Sequence, residues 1–333
     1  MKILITGGTG FLGQKLARRL NGMDHQVTVI GRNEQIGAEL ETEGITFLKA
    51  DLTDCESIHR AHFDKEIVFH CGALSAPWGR YEDFYQTNVI GTENVVNACI
   101  ANDVKRLIHV STPSIYFDKN ERTNVSETDA ISSKFLNHYA TTKFLAERVV
   151  DKAFDNGLPV VTLRPRAIFG PGDNAIIPRL IQTNEDKFIP FINHGRAVID
   201  LVYVENVVDA MVLEMNADQK TLGQKYNISN GERWILADVL KKLFQTMDVP
   251  FRYRKLPYPL VYSMAAILEW LSRNFQNYQE PVLNRYTVTV LSKSQTISID
   301  KARAELGYTP RVSVEDGIHL FAEWWRDNEK SKA

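Results

Sequence analysis

The chain has 333 residues, room for one large α/β domain plus a smaller one with a sizeable core. At 44% hydrophobic and 24% charged it has an ordinary globular composition, and a net charge of −2 gives no electrostatic case for nucleic acid or an anionic membrane as partner. Cys55, Cys71 and Cys99 are scattered with no CxxC spacing, which suits a reducing compartment and argues against a metal site of the structural zinc type.

Lys2–Thr6 is a short β-branched run of the kind that forms a buried parallel strand. A fold-forming strand this early is expected to leave no signal or transit peptide and to place the protein in the cytoplasm. Gly7-Gly8-Thr9-Gly10-Phe11-Leu12-Gly13 follows, and then a helical pattern carries Leu16, Ala17 and Leu20. Strand, glycine turn and helix together give this spacing its meaning: Gly7 permits a tight turn, Gly10 lets backbone approach a pyrophosphate, and Gly13 lets helix and strand pack closely. The helix N-terminus then faces the phosphates of a dinucleotide.

The next strand, Gln26–Ile30, ends in Gly31-Arg32-Asn33. A carboxylate there would accept from a ribose 2′-OH, whereas an arginine suits a 2′-phosphate. Gly31 occupies the acidic slot and Arg32 supplies the fork-shaped donor, so NADP(H) is expected ahead of NAD(H), which the fold also accommodates. Ile45–Lys49 reads as the third strand. Asp51 after it is placed to accept from an adenine amino group, and Asp54 to cap a helix. Ile67–His70 is the fourth strand. The small residues Cys71, Gly72 and Ala73 at its carboxyl end let a ligand lie against backbone, while His70 reads as a satisfied core histidine.

Tyr85–Ala101 reads as a long helix carrying Asn88 and Asn94. Arg106–Val110 is the fifth strand and ends in the hydroxyl-rich Ser111-Thr112-Pro113-Ser114, where open α/β sheets keep their sites. A helix over Asn137–Asn156 places Tyr139 and Lys143 on one face, four residues apart. An unperturbed phenol titrates near pH ~10 and a neighbouring ammonium favours its ionised form. Such a phenol can exchange a proton with an alcohol or carbonyl oxygen, which Thr112 can hold.

In the C-terminal third, Ile176–Gln182, Asn206–Met215 and Leu236–Met247 look helical, with Lys225–Ile228 a short strand between lobes. Leu260–Phe275 is apolar on most sides, but its uncharged core is short of the ~20 residues of a bilayer span, and Glu269 and Arg273 interrupt it. It reads as a core helix and lid rather than a membrane contact, bracketed by loops at Pro257, Pro259 and Pro281. Phe321, Trp324 and Trp325 read as core anchors of the last helix, and Asn328–Ala333 as a frayed tail.

With these motifs in order, the chain resembles the extended short-chain dehydrogenase/reductases, the superfamily of NAD-dependent epimerases and dehydratases. The residues that carry the resemblance are Thr6–Gly13, Asp51-Leu52, His70–Ala73, Asn88–Thr92, Ser111-Thr112, Tyr139–Lys143, Arg164-Pro165, Phe169–Asp173, Tyr203-Val204 and Leu306–Pro310. The resemblance implies a Rossmann-type, doubly wound parallel sheet over residues 1–175. A smaller α+β substrate lobe would follow over 176–333, with part of 198–230 returning to the sheet. It implies that Tyr139 is the acid/base, that Lys143 binds ribose and lowers the phenol's pKa, and that Thr112 holds the reacting oxygen, with Ser111 and Ser114 as alternatives. It implies that Asn88 serves a proton relay and that Pro165 and Ile168 border the nicotinamide. Thr9, Phe11, Leu12 and Leu52 complete the cofactor contacts. A homodimer through the helices at 85–101 and 137–156 is common in the superfamily, though no residue here fixes it.

Two departures narrow the subfamily. Pro113-Ser114 follows Thr112 where dehydratases of the superfamily carry Asp-Glu. Ile199-Asp200 stands where UDP-sugar epimerases carry Arg-Asp, a loss worth about 1.5–3 kcal/mol for a phosphate contact. Ala76-Pro77-Trp78-Gly79, Ser111–Ser114 and Asn137-His138-Tyr139 resemble the 3β-hydroxysteroid dehydrogenase-like branch and the β-keto acid reductases. The expected activity is NADP(H)-dependent interconversion of a ketone and a secondary alcohol on an apolar, steroid-like or β-keto acyl small molecule. A sugar-nucleotide epimerase using Arg179 and Arg196, and a non-catalytic dinucleotide sensor, are the alternatives.

Overall fold

The strands are β1 (Lys2–Thr6), β2 (Gln26–Gly31), β3 (Thr46–Lys49), β4 (Ile67–His70), β5 (Arg106–Val110), β6 (Val160–Pro165) and β7 (Lys225–Ile228). In the computed structural model, which describes residues 1–330, they form one parallel sheet in the order β7-β6-β5-β4-β1-β2-β3. Helices cover both faces, so the central strands are buried on both sides and read as unbroken apolar runs such as Ile3-Leu4-Ile5. The chain's direction of travel across the sheet reverses between β1 and β4, where Thr6 lies level with His70. That switch point opens the crevice in which open α/β sheets bind ligands.

β7 is the part of 198–230 that returns to the main sheet: read on its own pattern as a short strand between lobes, Lys225–Ile228 is the sheet's edge strand, with Ile228 level with Pro165 of β6. Its Tyr226 and Ile228 are fully buried, and the helix Asp300–Leu306 packs on them, with the Tyr226 hydroxyl donating to Glu305 at 2.7 Å, a contact that no local pattern reveals.

The helix expected over 85–101 begins four residues earlier, at Tyr81, and is not regular. Its α-turns at Tyr81–Tyr85 and Gly91–Ala101 flank a π-helical stretch, Gln86–Ile90. Such bulges accumulate at functional sites because they re-aim a side chain without ending the helix. The helix His138–Asp155 is capped by Asn137, whose Oδ1 accepts from the Ala140 N–H at 3.0 Å. Asp54 caps Cys55–His62 in the same way.

The second lobe is built on the sheet's carboxyl side from Ile177–Asp186, Leu236–Met247, Tyr258–Phe275 and Arg285–Ser292. A four-stranded sheet joins them, in the order Arg233–Ile235, Val198–Asp200, Gln295–Ile297, Arg122–Val125. Pro259 is not in a loop but in the first turn of its helix, where its missing N–H costs nothing.

That helix is not a core helix either. It buries Val261, Ala265, Glu269 and Ser272, while Leu260, Met264, Ile267 and Trp270 are about half exposed on the opposite face. Glu269 is held inside by Arg285, whose backbone N–H and guanidinium both donate to it, at 2.7 and 2.8 Å. None of this helix's residues lines the main cavity; Leu283, Tyr286 and Leu291 from the following segment do. Among the described residues no helix is long and apolar enough to cross a membrane.

In the last helix, Val314–Lys330, Phe321 is buried and Trp325 packs against the core as expected, whereas Trp324 is 36% exposed with its ring beside that of Phe321 at 5.6 Å. Of the tail expected to fray, 328–330 continue this helix and 331–333 lie outside the described residues.

Candidate active site

Two cavities meet at the carboxyl edge of the sheet. The smaller, about 300 Å³, is walled by Gly7, Thr9, Gly10, Arg32, Asp51, Leu52 and Gly72. The larger, about 600 Å³, contains Phe11, Leu12, Thr112, Tyr139, Lys143, Pro165 and Ile168. Cys71 and Ala73 belong to both, so one ligand can span from one cavity into the other.

The smaller cavity fits the adenosine and pyrophosphate of a dinucleotide. Gly7 sits at φ +66°, and a Cβ on it would lie 2.6 Å from Gly72 Cα, so only glycine lets the two loops meet. Gly13 packs directly on the Gly7 carbonyl. Gly10 precedes the helix Phe11–Asn21 and offers no side-chain cap, which leaves the first-turn N–H groups for a phosphate. Asp51 is held in its ionised form first by the Thr53 N–H (2.9 Å), then by the Thr53 hydroxyl and the Arg32 charge 3.7 Å away.

Thr112, Tyr139 and Lys143 arrive from two elements. Thr112 follows β5 and caps a short 3₁₀ turn, its Oγ1 accepting from the Ser114 N–H at 3.1 Å. Tyr139 and Lys143 lie on the first turns of His138–Asp155. Lys143 is 2% exposed and donates from Nζ to the Val110 carbonyl at 2.8 Å. Burial pulls its pKa down to about 8 against the pull of Glu147 and Cys71.

The Tyr139 phenol departs from the expected direction. Burial holds it above its ordinary value, and the hydroxyls of Ser75 and Thr112 beside it only partly offset this. The ammonium of Lys143 does not depress it, because Nζ is turned to Val110 and the phenol lies in an apolar cavity.

Asn88 touches neither cavity wall. From the π-turn its Oδ1 accepts from the Leu74 N–H (2.7 Å), and its Nδ2 donates to the Leu74 carbonyl and to Thr142 Oγ1 (3.0 Å). It thereby ties the loop that carries Ala73 and Ser75 to the helix that carries Tyr139. Asn94 ties the Leu52 carbonyl similarly, at 2.8 Å. His70 is the satisfied core residue expected, bonded to Thr6 and Thr92 hydroxyls.

One turn beyond Lys143, Glu147 forms a two-point ion pair with Arg164 of β6, at 2.8 and 2.5 Å, with both side chains 1% exposed. Burial alone would raise the Glu147 pKa, but Arg164 first and then Lys225 hold it below the usual carboxylate range. Arg164 also bonds the Tyr116 hydroxyl, which donates to Asn227 of β7. This network fixes the Lys143 helix against β6 and β7.

Sequence reasoning assigned no site role to several polar wall residues, among them Ser75, Arg166, Asp200 and Tyr286. They come from four loops or strands far apart in the chain and form no local motif.

A profile of the NAD dependent epimerase/dehydratase family matches residues 3–229. A 2-alkyl-3-oxoalkanoate reductase of Stenotrophomonas maltophilia is 35% identical over 323 residues, covering 96% of this chain and 97% of that protein. A decarboxylating sterol-4-alpha-carboxylate 3-dehydrogenase of Saccharomyces cerevisiae is 31% identical, covering 97% of each. The crystal structure of the UDP-glucuronic acid 4-epimerase of Bacillus cereus in complex with NAD superposes with a TM-score of 0.80 at 23% identity, over 100% of this chain and 99% of that one, a likeness of fold. The chain belongs to the NAD-dependent epimerase/dehydratase family, on its reductase and hydroxysteroid dehydrogenase-like side.

Proposed function

We propose that this protein is an NADP(H)-dependent oxidoreductase that interconverts a ketone and a secondary alcohol on an apolar substrate of the β-keto acyl or steroid-like class. The observation that carries it is the placement of the Tyr139 and Thr112 hydroxyls on the wall of a large cavity that is otherwise mostly apolar and continuous with the dinucleotide cleft.

When bound, the nicotinamide supplies hydride to the ketone carbon or removes it from the alcohol carbon. Thr112 donates a hydrogen bond to the substrate oxygen and fixes its position. Tyr139 gives that oxygen its proton in reduction and takes it in oxidation, so each ketone reduced consumes one hydride and one proton. Lys143 holds the ribose hydroxyls, and Pro165 and Ile168 pack on the nicotinamide. Asn88 keeps the Ala73–Ser75 loop and the Tyr139 helix in register. The apolar walls exclude water and accept an alkyl or ring system.

The names of relatives support this reading: both the 2-alkyl-3-oxoalkanoate reductase and the sterol-carboxylate 3-dehydrogenase act at a ketone or alcohol carbon. A sugar-nucleotide substrate has less support, since Arg179 at the cavity is paired with Glu280 at 3.0 Å and Arg196 is not among its walls. The test is NADPH consumption with a 2-alkyl-3-oxoalkanoate, a steroid ketone and a UDP-sugar. NADPH-dependent reduction of either of the first two supports the proposal; interconversion of the UDP-sugar alone overturns it.

The preference for NADPH rests on Arg32 and on Gly31. A Cβ at Gly31 would lie 2.2 Å from Thr9 Oγ1, so the acidic side chain typical of NAD sites has no room. Arg32, with its side chain 73% exposed at the cleft and only a 3.7 Å contact to Asp51, can turn to meet a 2′-phosphate. Arg32→Ala is expected to weaken NADPH binding about tenfold and NADH binding less than twofold, measured by calorimetry. An equal loss for both cofactors removes Arg32 from the choice.

A further inference from the structure

The stretch 74–80 crosses from the first lobe to the second and is tied down at both ends. At its root, Asn88 holds both backbone groups of Leu74. At its tip, Trp78 Nε1 donates to Ser272 Oγ at 3.0 Å, the Arg273 guanidinium lies 5.0 Å over the indole, and Tyr278 stacks beside it at 6.4 Å. Arg80 donates to Asn277 and sits over the Tyr278 ring at 5.4 Å. All these partners on the second lobe lie in 272–278, at the end of the helix Tyr258–Phe275 and in the turn after it.

That turn is built for the contact. Asn277 and Tyr278 both stand in the left-handed region, at φ +49° and +62°. For a side chain as bulky as tyrosine this backbone is costly, and it persists only where the surroundings impose it. Ser272 imposes it here: its carbonyl accepts the Tyr278 N–H at 3.0 Å and its hydroxyl donates to the Gln279 carbonyl. The residue that shapes the turn is thus the one that receives Trp78.

Both sides of the joint run directly into the large cavity. Ser75, Ala76 and Pro77 line it just before Trp78, and Val282, Leu283 and Tyr286 line it just after the turn. Tyr139 lies where the two segments meet: the Ser75 hydroxyl is beside its phenol, and Tyr286 is near enough to act on its charge. Trp78 itself is not part of either cavity's wall, so it acts through these neighbours.

We propose that Trp78 is a positioning residue for the reaction: by latching the 75–77 wall to the second lobe at Ser272, it holds the Ser75 and Tyr286 hydroxyls beside the Tyr139 phenol and fixes the width of the cavity at its reacting end. This rests on the oxidoreductase reading above and deepens it. An indole suits the task, because its broad flat face stacks while the N–H at its edge fixes distance and angle together. Proton transfer from Tyr139 needs the substrate oxygen within hydrogen-bond reach, and a wall displaced by about 1 Å can cost on the order of 100-fold in rate. A tie outside the cavity therefore governs the chemistry inside it.

Trp78→Ala is expected to lower kcat for ketone reduction by about 100-fold while NADPH affinity changes less than about twofold. Trp78→Phe keeps the stacking face and loses only the Nε1 donor, so it should stay within about tenfold of wild type. Two readouts separate positioning from plain loss of stability. In Trp78→Ala the rising limb of the oxidation rate should move to higher pH, since the Ser75 hydroxyl that draws the phenol's pKa downward is withdrawn. In a Tyr139→Phe background, Trp78→Ala should cost less than about threefold more, because its effect passes through that phenol. A limb that stays in place overturns the proposal, and so does a full further 100-fold loss in that background. If Trp78→Ala does not fold, Trp78→Phe carries the same comparisons. A third measurement needs no turnover: amide hydrogen exchange of the NADPH complex. Trp78→Ala should speed exchange about tenfold in 73–76 and 282–287 and leave β1, β4 and β5 unchanged. Walls as protected as in the wild type reject the latch. Loosened walls in a protein whose wild type reduces no ketone uphold the latch, and only the oxidoreductase reading then fails.

Discussion

Tyr139→Phe is expected to lower kcat for ketone reduction by about 10²- to 10⁴-fold while NADPH affinity changes less than about twofold. The substitution removes one oxygen from a half-buried side chain and leaves its ring packing in place, so the loss is chemical. A pH profile separates this role from a structural one. Burial holds the phenol above its ordinary value, so it stays protonated at neutral pH and reduction has its acid available. Oxidation needs the phenolate, whose population rises about tenfold per pH unit below the phenol's pKa, and the oxidation rate should rise with it. Lys143, in its proposed role of holding ribose, adds an upper limit in both directions: above about 8 it loses its charge, and cofactor binding should weaken. In Tyr139→Phe the rising limb of oxidation should vanish. An unchanged limb would mean that another group, such as Ser75, passes the proton.

Glu147→Ala should be the most damaging single change to stability, lowering it by about 3–5 kcal/mol. The reason is not the lost pair as such but the guanidinium left behind: Arg164 is 1% exposed and would keep its charge with only Tyr116 beside it. Replacing both partners with apolar residues, Glu147→Leu with Arg164→Met, should recover much of the loss, because no charge is then stranded. Urea denaturation of the two variants measures this directly. If the double variant is as unstable as the single one, packing and not charge is what the pair contributes. Glu147→Ala should also weaken Lys143, since Glu147 is the first of the groups that sustain its charge against burial.

The contrast between these two residues shows what was legible in the chain. Tyr139 could be found because its signal is local: a phenol and an amine four residues apart on a helix, after a glycine turn and a hydroxyl-rich strand end. Glu147 also lies on that helix, but its importance comes from Arg164 on β6, and no spacing announces a pair across elements. The same division runs through the site. Gly7, Gly10, Gly13, Arg32, Asp51 and the Cys71–Ala73 stretch follow strand ends, and in a parallel sheet every strand end points to one edge, so order along the chain already brings them together. Asp200 and Tyr286 reach the site only through the way the second lobe folds back over that edge.

By itself, then, the sequence determined the parallel sheet, the glycine turn at its switch point and the pairing of Tyr139 with Lys143 on one helix, because each is written in a period or spacing of a few residues. The tertiary structure decided three further matters. It fixed which part of 198–230 returns to the main sheet, as the edge strand Lys225–Ile228, turned Leu260, Met264 and Ile267 outward rather than into the core, and raised the Tyr139 phenol where its helical neighbour alone would lower it. In each case the deciding quantity is burial, and burial depends on what distant segments pack against a residue rather than on the residues beside it in the chain.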